Sequence, residues 1–239
     1  IQYFIIYGIG FILGAYGGMF SECSGIINIA LEGSMVIGAF TGIAFMNILG
    51  NAFAGTWLLT SILGVQLLFL ISALFAILCS ILFSFLLSFV SIKFKADQTI
   101  VGTALNTFAI ALCTIVNTSL ISKKDSPEIG LSQFNLMKYL RFNTGNTFVD
   151  TAFSGVNSAV VLGVIAILVL WLMMNKTRFG LRLRACGENP GAADSVGINV
   201  NRMRYTGTAI GCAAAGFGGF IIFSFFDVFI GNWRIDALG

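Results

Sequence analysis

Residues 57–92 read WLLTSILGVQLLFLISALFAILCSILFSFLLSFVSI, thirty-six positions without one charged side chain. A helix rises about 1.5 Å per residue, so the run would measure about 54 Å. The hydrocarbon core of a bilayer is only about 30 Å thick. Two separate spans would need a turn, and only Gly64-Val65-Gln66 offers one. The stretch is therefore expected to be one long, tilted or kinked membrane helix.

The rest of the chain has the same character. Hydrophobic residues make up 57% of the 239 positions and charged residues 10%, with a mean hydropathy of +0.95. Soluble domains run about 45–50% apolar and about 25% charged. A water-soluble globule and a disordered chain are both excluded. The fold class that remains is all-α, a polytopic helical membrane protein. The chain has no histidine, which removes His-based acid–base catalysis and His metal ligands. It has no GxxxxGK[ST] phosphate loop, so it does not hydrolyse ATP by that route. The five cysteines, Cys23, Cys79, Cys113, Cys186 and Cys212, show no CxxC spacing and read as small hydrophobes. No catalytic residue and no metal site is expected. The chain starts inside an apolar run without a basic leader, so no signal peptide is recognised and an incompletely covered subunit is expected.

Further apolar runs flank the central one. Ile1–Phe20 is a span, Ser21–Ser34 interrupts it, and a second span runs from Ile26 or Met35 to Leu49. Thr99–Ile121, Ala152–Met174 and Tyr205–Phe226 complete the set. Residues 122–150 form a polar loop in which Leu131, Phe134, Met137 and Leu140 fit one face of a short surface helix. Segments 93–97 and 175–204 carry eight of the thirteen Lys and Arg residues. By the positive-inside rule these two segments are cytoplasmic and loop 122–150 is external.

Small residues recur every four positions at Gly10, Gly14 and Gly18, and again at Gly207, Gly211, Ala215 and Gly219. Each series suits close helix packing, static or sliding. Two stretches are unusually polar for a membrane chain: SECSGIINIALEG at 21–33, and TRFGLRLRACGENPGAADSVGINVNRMRY at 177–205. A weaker third is DQTIVGTALN at 97–106. In the second, Asn189-Pro190 reads as an N-cap followed by a first helical residue. Gly197 suits the left-handed residue that ends a helix. A short helix over about 190–196 follows, with Ala192, Ala193 and Val196 as a small apolar surface. In the first, Glu22 and Glu32 bracket a broken helix near 21–34. Such a break survives at membrane depth only where it is buried in protein or lines a cavity. Asn28 and Glu32 suit either solute contact or capping of the broken helix. Gln98, Thr103, Asn106 and Asn117 add polar groups to the next span, for solute contact or for bonds between helices.

Together the three stretches, in this order, resemble the membrane permease subunits of bacterial ABC importers for simple sugars and nucleosides. That family belongs to the larger group of ribose and branched-chain amino-acid permeases. The NIxLEG form at 28–33 resembles the second of the two permeases that nucleoside systems usually carry. The resemblance implies a single permease domain over 1–239, incomplete at both ends, in the cell membrane. It implies a substrate path including Glu22, Asn28, Glu32, Gln98 and Asn106. It implies an ATPase-docking loop at 175–204, with Glu188, Asn189, Pro190, Ala193 and Asp194 on or beside a cytoplasmic coupling helix. The implied partners are a second permease, a cytoplasmic ATP-binding subunit that holds ATP and Mg, an extracytoplasmic substrate-binding lipoprotein and the bilayer, with no nucleic acid. An alternative from the residues alone is an ATP-independent secondary transporter or channel, in which the two acids of the broken helix carry protons.

Overall fold

A computed structural model of the chain describes residues 2–52, 62–117, 119, 128–130, 158–224 and 228–230. Eight helices occur among them: α1 (Gln2–Cys23), α2 (Leu31–Ala52), α3 (Ile62–Lys93), α4 (Gln98–Val116), α5 (Ser158–Lys176), α6 (Arg178–Glu188), α7 (Pro190–Ser195) and α8 (Val200–Phe223). Six of them, all but α6 and α7, are long and apolar enough to cross a membrane. The chain is a multi-pass helical membrane protein. Two three-residue strands, β1 (Glu128–Gly130) and β2 (Val228–Ile230), pair antiparallel with Ile129 opposite Phe229.

The long uncharged run behaves as its length suggests. α3 continues through Gly64-Val65-Gln66 without a turn for 32 residues. Its serines do not face out: Ser72, Ser80, Ser84 and Ser88 are all buried. Ser72 and Ser80 donate to the carbonyls four residues back, which satisfies the hydroxyls inside an apolar bundle. The second span begins at Leu31, between the two starts the sequence allowed. The surface helix expected around Leu131–Leu140 lies outside the described residues.

α8 is the hub. Most of its length is buried, and it packs on α1, α2 and α3. Glycines make this possible. A Cβ on Gly17 of α1 would collide with the carbonyl oxygen of Gly211, and a Cβ on Gly38 of α2 with Gly216. A Cβ on Gly216 would also strike Ser80 of α3. Backbones meet directly, so contact is gained by dispersion over long stretches of main chain. Larger side chains close the gaps, with Phe69 and Phe220 rings 5.0 Å apart. α4 and α5 lie at the edge, largely exposed.

The packing stripes divide more finely than a four-residue repeat suggests. Gly10 and Gly17 face α8, whereas a Cβ on Gly14 would rest 3.4 Å from Met35 and one on Gly18 3.2 Å from Leu31, both on α2. On α8, Gly211 meets α1 and Gly219 meets the Met35 carbonyl of α2. Ala215 is fully buried, and a Cβ on Gly207 would press on Ser24 and Leu183.

Candidate functional site

The polar stretches converge at one end of the bundle, where Lys93, Lys95 and the arginines of α6 and α8 also lie. α1 ends at Cys23, and residues 24–30 cross to the start of α2. Gly25 turns the chain with φ +86, a conformation that favours glycine. The turn is held by Gly25 N–H to Glu22 O at 2.9 Å and Ile26 N–H to Ser21 O at 3.2 Å.

Asn28 points inward from this break and is only 6% exposed. Its Nδ2 donates to Ser21 Oγ and to Cys212 Sγ, both at 3.2 Å, while its Oδ1 has no partner. Asn106 of α4 grips the same segment from the other side. Its Nδ2 donates to Ile29 O at 3.0 Å and its Oδ1 accepts from Gly33 N–H at 2.8 Å. Gln98 Oε1 accepts from Ile27 N–H at 2.7 Å. Between them Gly102 lets α4 close on the break: a Cβ there would stand 2.9 Å from Ile29 Cβ. Backbone groups freed by a broken membrane helix need partners, and the two amides of α4 supply them. Of the five path residues expected, three are thus occupied in holding the break. Glu32 sits half-buried in the first turn of α2, where the helix dipole favours a carboxylate. Glu22 is exposed and lines a cleft of about 350 Å³ with Cys23, Arg184, Gly187 and Glu188.

Segment 175–204 is built as two helices, not one. α6 was not foreseen, although Thr177 and the spacing of Gly180, Leu183 and Cys186 encode it. Thr177 Oγ accepts from Gly180 N–H at 3.3 Å as an N-cap. Gly180, Leu183 and Cys186 form the buried face, and Leu183 packs on Phe20 and Met174. Gly187 abuts the Cys23 carbonyl directly. Arg184 donates to Met174 O at 2.6 Å and Asn175 Oδ1 at 3.2 Å, closing the end of α5. Burial pushes the Cys186 thiol above its ordinary pKa, with Arg204 pulling partly against it. Arg204 lies beside Gly25, and its Nε has no hydrogen-bond partner.

α7 forms where Asn189-Pro190 placed it. Asn189 Oδ1 accepts from Ala192 N–H at 3.1 Å, and Gly197 takes φ +85 just past the end. Ala193 does not face outward as expected. It is 4% exposed, and its carbonyl accepts from Ile198 N–H at 3.1 Å as the chain leaves the short helix. Glu188, Asn189 and Asp194 are exposed, and Val196 is 79% exposed. Asn199 caps α8 through Arg202 N–H at 3.0 Å, so only a short linker joins α7 to the hub helix. Pro190, Gly191, Asp194, Asn199 and Asn201 line a cleft of about 410 Å³ at this joint. Among the described residues no group of three or more His, Cys, Asp or Glu gathers for a metal.

Comparison with known proteins adds a second line. The family model described as branched-chain amino acid transport system / permease component matches residues 1–235. The guanosine ABC transporter permease protein NupQ of Bacillus subtilis is 36% identical over 217 residues, 90% of this chain and 64% of that protein. The nucleoside ABC transporter permease protein NupC of Lactococcus lactis subsp. cremoris is 32% identical over 239 residues, 98% of this chain and 69% of that protein. The putative glucose ABC transporter permease protein TsgC13 of Haloferax volcanii is 26% identical over 87% of this chain and 57% of its own length. This chain thus spans about two thirds of the length of the two nucleoside permeases it matches. No solved structure matches it significantly.

Proposed function

We propose a function from one premise: the chain belongs to the branched-chain amino acid transport system permease family. It acts as a permease subunit of an ATP-driven importer for nucleosides or simple sugars. The observation that carries this reading is the match over 1–235 together with relatives named as guanosine and nucleoside permeases. In this role the chain performs no covalent chemistry.

The mechanism starts at α7. The basic end of the bundle faces the cytoplasm by the positive-inside rule. The end of α6, α7 and the residue that closes it there offer exposed Glu188, Asp194 and Val196 to a separate ATP-binding subunit. Ala193 and the caps at Asn189 and Gly197 keep the six residues rigid. A push on α7 reaches α8 through Ile198 and Asn199, and reaches α1 through the contact of Gly187 with Cys23. Both helices bear on the break at 24–30, through Cys212 and Ser21. Binding energy released on the ATPase thus has a physical route to the polar segment of the membrane domain. A second permease completes the path and an external binding protein supplies solute, so the contacts inside this chain are weak by design. ATP and Mg are held by the partner.

The proton-carrying alternative loses support from geometry. Glu22 opens to solvent at the end of the bundle and Glu32 sits at a helix start, so neither is an enclosed relay acid. The test is purification of the full-length native protein in mild detergent, with companions identified by mass spectrometry. An ATPase with a phosphate loop and a second permease are expected. A protein that purifies alone and moves guanosine without ATP would overturn the reading. Within the complex, Asp194→Lys is expected to reduce solute-stimulated ATP hydrolysis at least about tenfold, by setting a cation where the docking surface is anionic. Unchanged stimulation would remove α7 from the docking surface.

A further inference from the structure

The exposed arc of α4 is sorted by chemistry. At about 100° per residue, Thr99, Thr103 and Thr107 fall within about 80° of one another on the helix surface. All three are exposed. Thr114 lies in the same sector, half-buried. The adjoining exposed sector holds Ile100, Ala104, Phe108, Leu112 and Ile115. The other edge helices are not divided in this way. On α3 the exposed side chains are Leu, Ile and Phe until Lys93 at the helix end, while the serines are buried. On α5 they are Val, Ile, Leu and Trp until Asn175 near the helix end. Among the described spans, α4 alone carries an exposed hydroxyl at its midpoint, Thr107.

Two further facts fix what this sector presents. Thr103 donates its hydroxyl proton to Thr99 O at 3.2 Å or Ile100 O at 3.0 Å, and Thr107 donates to Thr103 O at 3.3 Å. With their protons committed to the helix, the hydroxyl oxygens of Thr103 and Thr107 are left as acceptors. Successive rungs are about 6 Å apart along the axis. The sector also adjoins Asn106, whose amide holds the break at Ile29 and Gly33. The exposed arc of α4 is thus divided beside the broken helix into a polar sector suited to water and an apolar sector suited to lipid.

We propose that the threonine sector of α4 lines the solute path, as a ladder of weak acceptors for the hydroxyl and N–H donors of a nucleoside or sugar, while the Ile100–Phe108 sector faces lipid. The proposal deepens the permease reading and rests on it. Spaced, equivalent and individually weak sites let a solute step along without being trapped. The amides of Gln98 and Asn106 are then positioning groups, and the threonines are the groups that touch solute.

The test uses the assembled transporter in its membrane. Single cysteines replace Thr99, Thr103 and Thr107 in one set and Ile100, Ala104 and Phe108 in the other. A charged, membrane-impermeant methanethiosulfonate is applied, with the unsubstituted protein as blank. The reagent attacks a thiolate, which forms in water and not in lipid, so the threonine-sector cysteines should label at least about tenfold faster. Equal rates on the two faces, or faster labelling of the apolar set, would overturn the proposal. A second measurement reads contact rather than wetting. Guanosine uptake should fall several-fold in the double variant Thr103→Val with Thr107→Val and recover in the matching Ser variants. Full uptake in the Val variant would overturn the ladder even if the face is wet. Failure of the import reading looks different: uptake would not need ATP, whereas the labelling contrast reports water access whatever drives transport.

Discussion

α8 and α4 are both membrane helices dotted with small and polar residues, yet those residues serve opposite ends. On α8 they remove bulk. Gly211, Gly216 and Gly219 bring the backbones of α1 and α2 and the Ser80 side chain of α3 against one helix. On α4 they add hydrogen bonds. Asn106 and Gln98 hold main-chain groups of a broken segment, and three threonines face outward. Residue size and residue polarity thus act separately in these two helices. Gly17 against Gly211 is a packing seam, and an amide one helix turn from a glycine holds a backbone at α4. Asn106 and Gly102 are four residues apart and show the second pattern.

Substitutions at these contacts should separate the effect of bulk from that of polarity. Gly17→Leu should act most strongly, because the new side chain meets the backbone of Gly211, which cannot rotate away. A penalty of about 3 kcal/mol and loss of the assembled complex on gel filtration are expected. Gly8→Leu is the control, since nothing lies within 4 Å of a Cβ there, and it should assemble normally. Equal behaviour of the two would end the claim that α8 is packed through glycine. Asn106→Leu comes next. It strands Gly33 N–H and Ile29 C=O, for a loss of about 1–3 kcal/mol. Thermal unfolding in detergent should register it, and Asn106→Gln should recover only part. A fully stable leucine variant would show that the amide does not hold the break. Gly197→Ala is the mildest. At φ +85 a Cβ adds about 1 kcal/mol of strain although no atom crowds it. Coupling of ATP hydrolysis to uptake should weaken while assembly persists, which separates the α7 joint from the hub.

The spans were legible because hydropathy and length are local properties. α7 was legible because Asn189, Pro190 and Gly197 punctuate it within a few residues. The seam on α1 was only half legible. Regular spacing favoured Gly10, Gly14 and Gly18, whereas α8 uses Gly10 and Gly17, seven residues and nearly two helical turns apart. A helix crossing at an angle touches its neighbour at intervals that the crossing sets. The break was legible as a loss of hydropathy, but its partners were not. Asn28 meets Cys212 at a sequence separation of 184, and no local pattern links them. α6 was missed because its charges, Arg178, Arg182, Arg184 and Glu188, hide a buried face of only three residues. Its N-cap threonine and the three-residue step from Gly180 to Leu183 to Cys186 were the available signal.

In the proposed function this chain passes solute while a separate ATPase drives it through α7 and the adjoining Glu188. Its most direct test is uptake of radiolabelled guanosine into proteoliposomes. They would hold the full-length protein with its companion permease, ATPase and binding protein, with ATP supplied on the ATPase side alone. Uptake that requires ATP, and that falls at least about tenfold in Glu188→Lys while the complex stays intact, is the expected result. Uptake that persists without ATP, or that is indifferent to charge reversal at Glu188, would rule out ATP-driven coupling through this loop.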